Sequence, residues 1–268
     1  MKTTFQEQRK QTALITGASG GIGYELAKLF ADDGYNLVLV DKKGEKLTEI
    51  AEQFQQKYGI TVKIIAKDLS IPMSAEEIFT MLQKESIKVD FLVNNAGFGS
   101  FGFFHETDLT TELQMLQVHV VCLTHLTKLF LKDMVKQGYG KILNVASTAA
   151  FQPGPLMAVY FATKAYVLSF SEAIANELEG TGVTVTTLCP GPTASGFQYT
   201  AGMEKAKSAS SWRVMDSETV AKIGYRGLMA NQTLVIPGLR NKILATSAKF
   251  AGRKQVAKIV RKMHALTN

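Results

Sequence analysis

Short apolar runs alternate with stretches of helical periodicity along most of this 268-residue chain. Seven runs predict strands, and most are continuously apolar, as in a sheet that is covered on both faces. These runs are residues 13–16, 36–41, 62–66, 91–95, 141–146, 183–189 and 233–236. The clearest helical stretches are residues 23–33, 46–58, 75–85, 113–136 and 158–179. Because repeated βα units build a parallel sheet with helices on both faces, the pattern predicts one α/β domain.

A glycine-rich turn follows the first predicted strand, where residues 16–23 read TGASGGIG. Glycines permit a tight turn and let backbone amides approach a pyrophosphate, which the positive end of a helix also attracts. The spacing differs from the commoner Gly-x-Gly-x-x-Gly, and a purely structural turn is the alternative. No Gly-Lys-Ser/Thr continuation follows, which argues against a nucleoside triphosphatase. The turn predicts a dinucleotide site, with contacts from Gly17, Ser19, Gly20, Ile22 and Gly23.

Carboxylates end the second and third predicted strands. Asp41 can accept hydrogen bonds from the adenosine ribose and would repel a 2′-phosphate, which favours NAD over NADP. Lys42 and Lys43 follow at once and could attract that phosphate, so both cofactors stay open. Asp68 and Leu69 are placed to meet the adenine edge. Either aspartate could instead serve only to form a turn.

Three residues predict a proton-transfer group. Tyr160 and Lys164 lie four apart in a helical stretch, so their side chains share one face. A phenol titrates near 10 when unperturbed, and a neighbouring ammonium should lower that pKa. Ser147 lies at the end of the fifth predicted strand, where its hydroxyl can hold a substrate oxygen while Tyr160 exchanges a proton with it.

These motifs occur in an order that resembles the short-chain dehydrogenase/reductase family over about residues 12–238. They are the glycine turn, NNAG at residues 94–97, Ser147, Tyr160 with Lys164, and Pro190-Gly191. The resemblance implies a seven-stranded Rossmann sheet and an NAD(P)-dependent oxidoreductase in which Tyr160 is the general acid/base. It further implies that Lys164 binds the nicotinamide ribose and lowers the tyrosine pKa, and that Ser147 orients the substrate.

The same resemblance implies further contacts to the dinucleotide. Asn95, Ala96 and Gly97 would line the cofactor cleft, and Pro190, Gly191 and Thr193 would reach the nicotinamide amide. Family members are usually dimers or tetramers, so the helices predicted over 113–136 and 158–179 are expected to pair across a subunit boundary.

One position departs from the family pattern. Family members commonly carry an Asn in the helix after the fourth strand, where it supports a water linked to the active-site Lys. Residues 117–120 read QVHV here, and His119 stands in its place. We include His119 among the candidate catalytic residues because a ring nitrogen can also bind water. The alternatives are a His packed between helices, or a shifted alignment that involves His125 instead.

An apolar substrate pocket is expected beyond the carboxyl ends of the strands, where open α/β sheets bind ligands. Residues 98–104 read FGSFGFF, and other apolar side chains fall in the same region: Phe151, Met157, Phe197, Met203, Trp212 and Met215. Some of them could instead close the core or form a subunit contact. Residues 193–211 are rich in small residues, which is typical of a mobile lid. A hydrophobic alcohol or ketone is the predicted substrate.

A basic tail follows the catalytic region. The formal net charge is +7, and residues 240–268 hold eight Lys and Arg and no acid, so we divide the chain into a catalytic domain, 1–238, and a helical extension, 239–268. Val256, Ile259, Val260 and Met263 follow helical spacing between basic residues. The pattern suits an amphipathic helix on an anionic membrane and equally a helix docked on the enzyme. Nucleic-acid binding has little support.

Composition limits the other classes. Cys122 and Cys189 lie in apolar stretches and predict buried thiols, with no metal site. Residues 1–11 lack the apolar core of a signal peptide, and no run is long enough to span a bilayer, so a cytoplasmic protein is expected. The alternative to an oxidoreductase is a dinucleotide-binding sensor or scaffold that has lost turnover.

Overall fold

A single parallel sheet forms the centre of the computed structural model, which describes residues 10–197, 201–203, 214–247 and 252–264. Its strands are β1 (Thr12–Thr16), β2 (Asn36–Asp41), β3 (Val62–Ala66), β4 (Phe91–Asn94), β5 (Gly140–Val145), β6 (Val183–Leu188) and β9 (Leu234–Val235). They lie in the order β3-β2-β1-β4-β5-β6-β9, and every neighbouring pair is parallel. The seven predicted strands and the Rossmann fold are confirmed, with bounds that shift by one residue at some ends.

Helices cover both faces of this sheet. In the described part of the chain they are α1 (Gly21–Asp32), α2 (Gly44–Tyr58), α3 (Ser74–Lys84), α4 (Leu109–Leu116), α5 (Leu123–Gln137), α6 (Ala158–Glu177), α7 (Ser217–Met229), α8 (Leu239–Ser247) and α9 (Arg253–His264). A two-stranded sheet pairs β7 (Thr193–Ala194) with β8 (Met215–Asp216). No described helix is long and apolar enough to cross a membrane.

Two large apolar clusters, one on each face, hold the helices against the sheet. Phe30 of α1 packs edge-on against Phe91 of β4 and Tyr225 of α7 on one face. Phe130 of α5 belongs to the cluster on the other face. β1 and β4 are buried along their whole length between these clusters. The chain changes its direction of travel across the sheet between these two strands, which is where such folds bind ligands.

The helix predicted over 113–136 begins earlier and is interrupted. Asp108 caps α4 by accepting a hydrogen bond from the Thr111 amide at 2.7 Å, so the helix starts at Leu109. A π-helical turn, Gln117–Cys122, then separates α4 from α5. The first turn does not follow the apolar period because its apolar residue, Leu109, is exposed and its buried residue is Glu112. π-Helical turns are frequent at functional sites.

The basic tail contains two helices, α8 and α9, whose assignment to a separate unit stays a prediction. Val256 and Val260 of α9 are buried against Met157 and Phe161, so the inner face of α9 packs on the catalytic body. Cys122 and Cys189, further back in the chain, are buried free thiols as expected.

Candidate active site

A cavity of about 620 Å³ opens at the carboxyl ends of the central strands. Most of the predicted site residues line it: Gly17, Ser19, Gly20, Ile22, Asp41, Asp68, Leu69, Asn95, Ala96, Gly97, Ser147, Tyr160, Lys164, Pro190, Gly191 and Thr193. The sheet brings them together because every one of these segments follows a parallel strand or begins the next helix. Two predicted residues, Gly23 and His119, are absent from the cavity wall.

The glycine turn leaves the amide end of α1 open toward the cavity. Gly17 has a φ of +68°, in the left-handed region that favours glycine. Gly20 precedes α1 and offers no side chain to cap it, and a Cβ added there would meet nothing within 4 Å. The first amides of α1 are therefore available to an anion, and the turn fits a dinucleotide pyrophosphate.

Gly23 has a packing role that differs from the predicted cofactor contact. A Cβ on Gly23 would come 2.1 Å from the Gly17 carbonyl oxygen and 2.5 Å from Asn95 Nδ2. Asn95 Nδ2 donates to the carbonyl oxygens of Thr16, at 2.9 Å, and Gly17, at 3.2 Å. Gly23 thus lets α1 approach the turn that Asn95 braces, and it supports the site without reaching the ligand.

Asp41 lies at the adenosine end of the cavity and is held by backbone amides. Its carboxylate accepts hydrogen bonds from the Ser19 amide at 3.3 Å and the Lys43 amide at 3.1 Å. The side chains of Lys42, Lys43 and Lys67 line the same region. One carboxylate suited to ribose hydroxyls therefore stands among three cations suited to a phosphate.

Asp68 lies beside this group. Burial alone would raise its pKa, but hydrogen bonds from the Ser70 hydroxyl and amide, with the Lys42 charge, outweigh burial and lower the pKa. Asp68 is therefore an anion that is partly occupied in holding its own turn. Within the described residues, no group of three or more His, Cys, Asp and Glu is placed to hold a metal ion.

Ser147, Tyr160 and Lys164 converge at the other end of the cavity. Ser147 follows β5 and caps a short 3₁₀ turn, Thr148–Phe151, by accepting from the Ala149 amide at 3.1 Å. Tyr160 and Lys164 project from the first two turns of α6, and Lys164 Nζ lies 5.8 Å from the Tyr160 ring centroid. Lys164 Nζ also donates to the Val145 carbonyl at 2.9 Å, which fixes the amine at the cavity wall.

Burial controls the titration of this group. It raises the pKa of Tyr160 to about 12, although the Ser147 hydrogen bond opposes the rise. The same burial lowers the pKa of Lys164 to about 8. The expectation that Lys164 makes the phenol acidic is therefore wrong, because burial disfavours the phenolate more than the Ser147 hydrogen bond favours it. Tyr160 is a neutral donor at neutral pH.

His119 links three segments and contacts the Tyr160 ring edge-on, with 5.9 Å between the ring centroids, but it is not among the residues that line the cavity. It lies in the π-helical turn and is 1% exposed. Its Nε2 accepts from the Phe98 amide at 3.1 Å, and its Nδ1 lies 2.9 Å from Thr163 Oγ1. Because an amide can only donate, the ring is neutral, with its proton on Nδ1. Thr163 Oγ1 in turn donates to the Tyr160 carbonyl at 2.7 Å.

This geometry contradicts a catalytic assignment for His119. Burial, followed by the Lys164 charge, holds the His119 pKa well below its usual range, and both ring nitrogens are occupied. Its contacts match the packed alternative and leave no nitrogen for a relay water. His125, the residue of the shifted alignment, lies 3.3 Å from Glu76 and does not line the cavity.

Replacing His119 by Ala is expected to lower the free energy of unfolding by about 2–4 kcal/mol, because a buried ring and two hydrogen bonds are lost. Thermal or urea unfolding measures this change. The variant that remains folded should keep the apparent pKa values of the kcat–pH profile. A profile that loses one of its limbs, with stability unchanged, would instead establish a proton relay through His119.

The substrate end of the cavity is apolar, with one contributor that the sequence did not indicate. Phe98, Met157, Phe197 and Met203 line it, as predicted or as part of the 98–104 loop. Phe151 and Met215 do not line it, because Phe151 belongs to a separate apolar cluster and Met215 packs against the main core. Trp212, and residues 198–200 and 204–211 of the predicted lid, lie outside the described residues.

The unpredicted contributor is α9, which supplies Val260, Met263 and His264 to the cavity wall. The ring of His264 is buried, with Nδ1 3.0 Å from the Pro155 carbonyl oxygen. The spacing of Val256, Val260 and His264 by four residues could have revealed the inward face. His264 was missed because it was grouped with the basic tail.

Comparisons with known proteins agree with this geometry. A family model described as short chain dehydrogenase matches residues 11–206. The 7beta-hydroxysteroid dehydrogenase of Mediterraneibacter gnavus is 30% identical over 249 residues, which cover 89% of this chain and 90% of that protein. The mouse 17-beta-hydroxysteroid dehydrogenase type 3 is 34% identical over 194 residues, covering 71% of this chain but only 62% of that protein.

A solved structure gives the same result. The short-chain dehydrogenase from Sphingobium yanoikuyae in complex with NADPH aligns with a TM-score of 0.82 and 28% identity, over 95% of this chain and 98% of that one. With the family model spanning most of the chain, these similarities establish the family. The chain belongs to the short-chain dehydrogenase/reductase family of NAD(P)-dependent oxidoreductases, which act on CH–OH groups.

Proposed function

We propose that this enzyme transfers a hydride between nicotinamide and the carbinol or carbonyl carbon of a hydrophobic secondary alcohol or ketone, with Tyr160 as general acid/base. The observation that carries the proposal is the convergence of Ser147, Tyr160 and Lys164 on one cavity that also holds the open amide end of α1. A bound nicotinamide would supply or accept the hydride. All other parts of the reaction fall to side chains of the chain itself.

The proton is handled by Tyr160. With a pKa of about 12 its hydroxyl is protonated at neutral pH, so it is poised to donate to the oxygen of a ketone that gains hydride. Ser147 would hold the same oxygen by exchanging its hydrogen bond to the Pro190 carbonyl, at 3.4 Å, for one to the substrate. In the oxidative direction Tyr160 must first lose its proton, which requires further positive charge in the cavity.

The lining of the cavity supports an uncharged, apolar substrate. Apart from Lys164, the charged side chains among its described lining residues cluster at the adenosine end: Asp41, Lys42, Lys43, Lys67 and Asp68. The substrate end thus offers no fixed charge to anchor a phosphate or carboxylate. Two relatives are named hydroxysteroid dehydrogenases, which supports a bulky alicyclic ketone or alcohol.

A panel of apolar ketones and alcohols, screened with NADH and NADPH or their oxidised forms through nicotinamide absorbance, tests the proposal. We expect turnover with bulky apolar ketones and little with phosphorylated or acidic analogues. Tight dinucleotide binding without turnover of any member would favour the alternative, a sensor or scaffold that has lost catalysis.

We propose NAD as the preferred dinucleotide, with NADP also accepted, and Asp41→Ala tests this. Removing the carboxylate takes one negative charge away from Lys42 and Lys43, while Lys67 remains paired with Glu77, so the ratio of NADP to NAD affinity should rise by about tenfold. Dinucleotide titrations of parent and variant measure the ratio. Asp133→Ala, an exposed carboxylate on α5, is the matched control. Unchanged affinities in the Asp41 variant would remove this residue from the site.

We further propose a homodimer or homotetramer that pairs through α4, α5 and α6. Exposed apolar side chains support this assignment: Leu113 on α4 is 55% exposed, Val121 in the π-helical turn 50%, and Tyr166 on α6 37%. Sedimentation equilibrium tests the assembly. The proposed location is the cytoplasm, as the sequence suggests.

A further inference from the structure

α9 has two faces with different surroundings. Its inner face is buried, and Val260, Met263 and His264 form part of the cavity wall. Met263 is also 38% exposed, so the cavity wall reaches the molecular surface along this helix. Any surface that covers α9 from outside would therefore lie next to the substrate end of the cavity.

The outer face of α9 combines positive charge with exposed apolar side chains. α9 contains five Lys and Arg and no acid. Ile259 is 58% exposed between these cations, and Arg261 stacks over the ring of Phe103, with its guanidinium carbon 5.4 Å from the centroid. Phe104, beside Phe103, is 66% exposed. We call this set the α9 surface: Lys254, Lys258, Ile259, Lys262, Phe103 and Phe104.

An anionic bilayer is the partner that matches both properties. Lys and Arg side chains are attracted to anionic headgroups, while isoleucine and phenylalanine side chains gain by entering the acyl boundary. A second copy would place cations against cations. A nucleic acid would use the cations but would gain nothing from the exposed aliphatic Ile259. The positive charge and the exposed apolar side chains together match an anionic membrane better than a second copy or a nucleic acid.

We infer that the α9 surface docks the enzyme on anionic lipid bilayers and that the substrate enters the cavity from the bilayer along Met263. An apolar ketone partitions into acyl chains, so a cavity that opens beside the lipid shortens its path through water. The docking step depends only on the α9 surface. The delivery step rests on the proposed function, since it requires an apolar substrate.

Co-sedimentation of the full chain with vesicles tests docking. Vesicles of pure phosphatidylcholine are compared with vesicles that contain 30% phosphatidylglycerol, a composition chosen at roughly the anionic level at which polybasic segments bind. Lys254→Glu/Lys258→Glu/Lys262→Glu should weaken binding to the anionic vesicles by at least about 100-fold, from the attraction of each basic residue to the surface. Ile259→Ser should weaken binding as well, and this loss should persist in high salt, where charge attraction is screened.

The matched control reverses three exposed lysines outside the cavity wall and the proposed subunit interface, Lys46, Lys57 and Lys84 on α2 and α3, and should bind as the parent does. Equal binding of the parent to both vesicle types would overturn docking, as would equal losses in the two triple variants. Tighter retention on a DNA duplex than on anionic vesicles would assign the surface to nucleic acid and overturn it too.

Kinetics in the presence of vesicles test delivery separately. For a ketone that partitions into the lipid, the apparent KM should be several-fold lower for the parent than for the α9 triple variant, while a water-soluble ketone should give the same kcat/KM in both. Equal KM values for the partitioned ketone would overturn delivery and leave docking standing. Absence of turnover with every ketone in vesicle-free buffer would refute the proposed function instead, and the sedimentation result would still decide docking.

Discussion

Replacing Tyr160 by Phe is expected to lower kcat for ketone reduction by about 10²–10⁴-fold, the usual contribution of a positioned general acid. Among the described lining residues, the phenol is positioned to give a proton to the substrate oxygen, and its pKa of about 12 keeps that proton in place at neutral pH. Dinucleotide affinity should be preserved, because the variant removes only an oxygen. The ring keeps its edge-on contact with His119, 5.9 Å between centroids, and its tilted contact with Phe197, 5.0 Å between centroids.

Stopped-flow or steady-state absorbance at saturating dinucleotide measures the loss, and fluorescence titration measures the affinity. Tyr166→Phe is a suitable control, since Tyr166 lies on the same helix with its hydroxyl 2.8 Å from Thr124 at the surface. It should turn over as the parent does. If the Tyr160 variant reduces substrates at the parental rate, the assignment of the acid is wrong.

The sheet could be predicted because its strands carry their own signal. β1 and β4 are buried on both faces and carry central apolar runs, so no distant contact is needed to recognise them. The cluster of Ser147 with Tyr160 was also predictable. Parallel strands direct their carboxyl ends to one edge, so a Ser after β5 must meet the helix that follows it.

Other properties of the site depend on neighbours that are distant in sequence. Gly23 looked like one more ligand contact, and only the closeness of the Gly17 carbonyl reveals it as a packing residue. The sequence places His119 at the position of a relay residue, but the structure shows that the Phe98 amide and the Thr163 hydroxyl occupy its two ring nitrogens. The predicted lowering of the Tyr160 pKa was wrong for a similar reason. The sequence shows the amine four residues away but not the loss of water around both groups.

Lys164→Met is expected to abolish efficient turnover and at the same time to raise the free energy of unfolding of the dinucleotide-free enzyme by about 1–3 kcal/mol at pH 7. Burial lowers the pKa of Lys164 to about 8 from an ordinary 10.5. Loss of water around the ammonium therefore destabilises the folded state, whereas the unfolded chain keeps the ammonium hydrated. Methionine fills similar space without the charge. The gain is reduced because the Val145 carbonyl loses its donor.

The pH dependence gives this prediction a signature that better packing alone would not produce. Below pH 8 the amine is protonated in both states and its full cost is present. Between pH 8 and 10.5 the unfolded chain binds more protons than the folded one, so the stability of the parent rises with pH. The advantage of Lys164→Met should therefore be largest near pH 7 and shrink toward pH 10.5 in urea unfolding series.

Lys222→Met, at an exposed ion pair with Glu218, is the control and should change the free energy of unfolding by less than about 0.5 kcal/mol. A constant advantage across the range would mean that the folded enzyme does not carry the cost of a buried ammonium at Lys164.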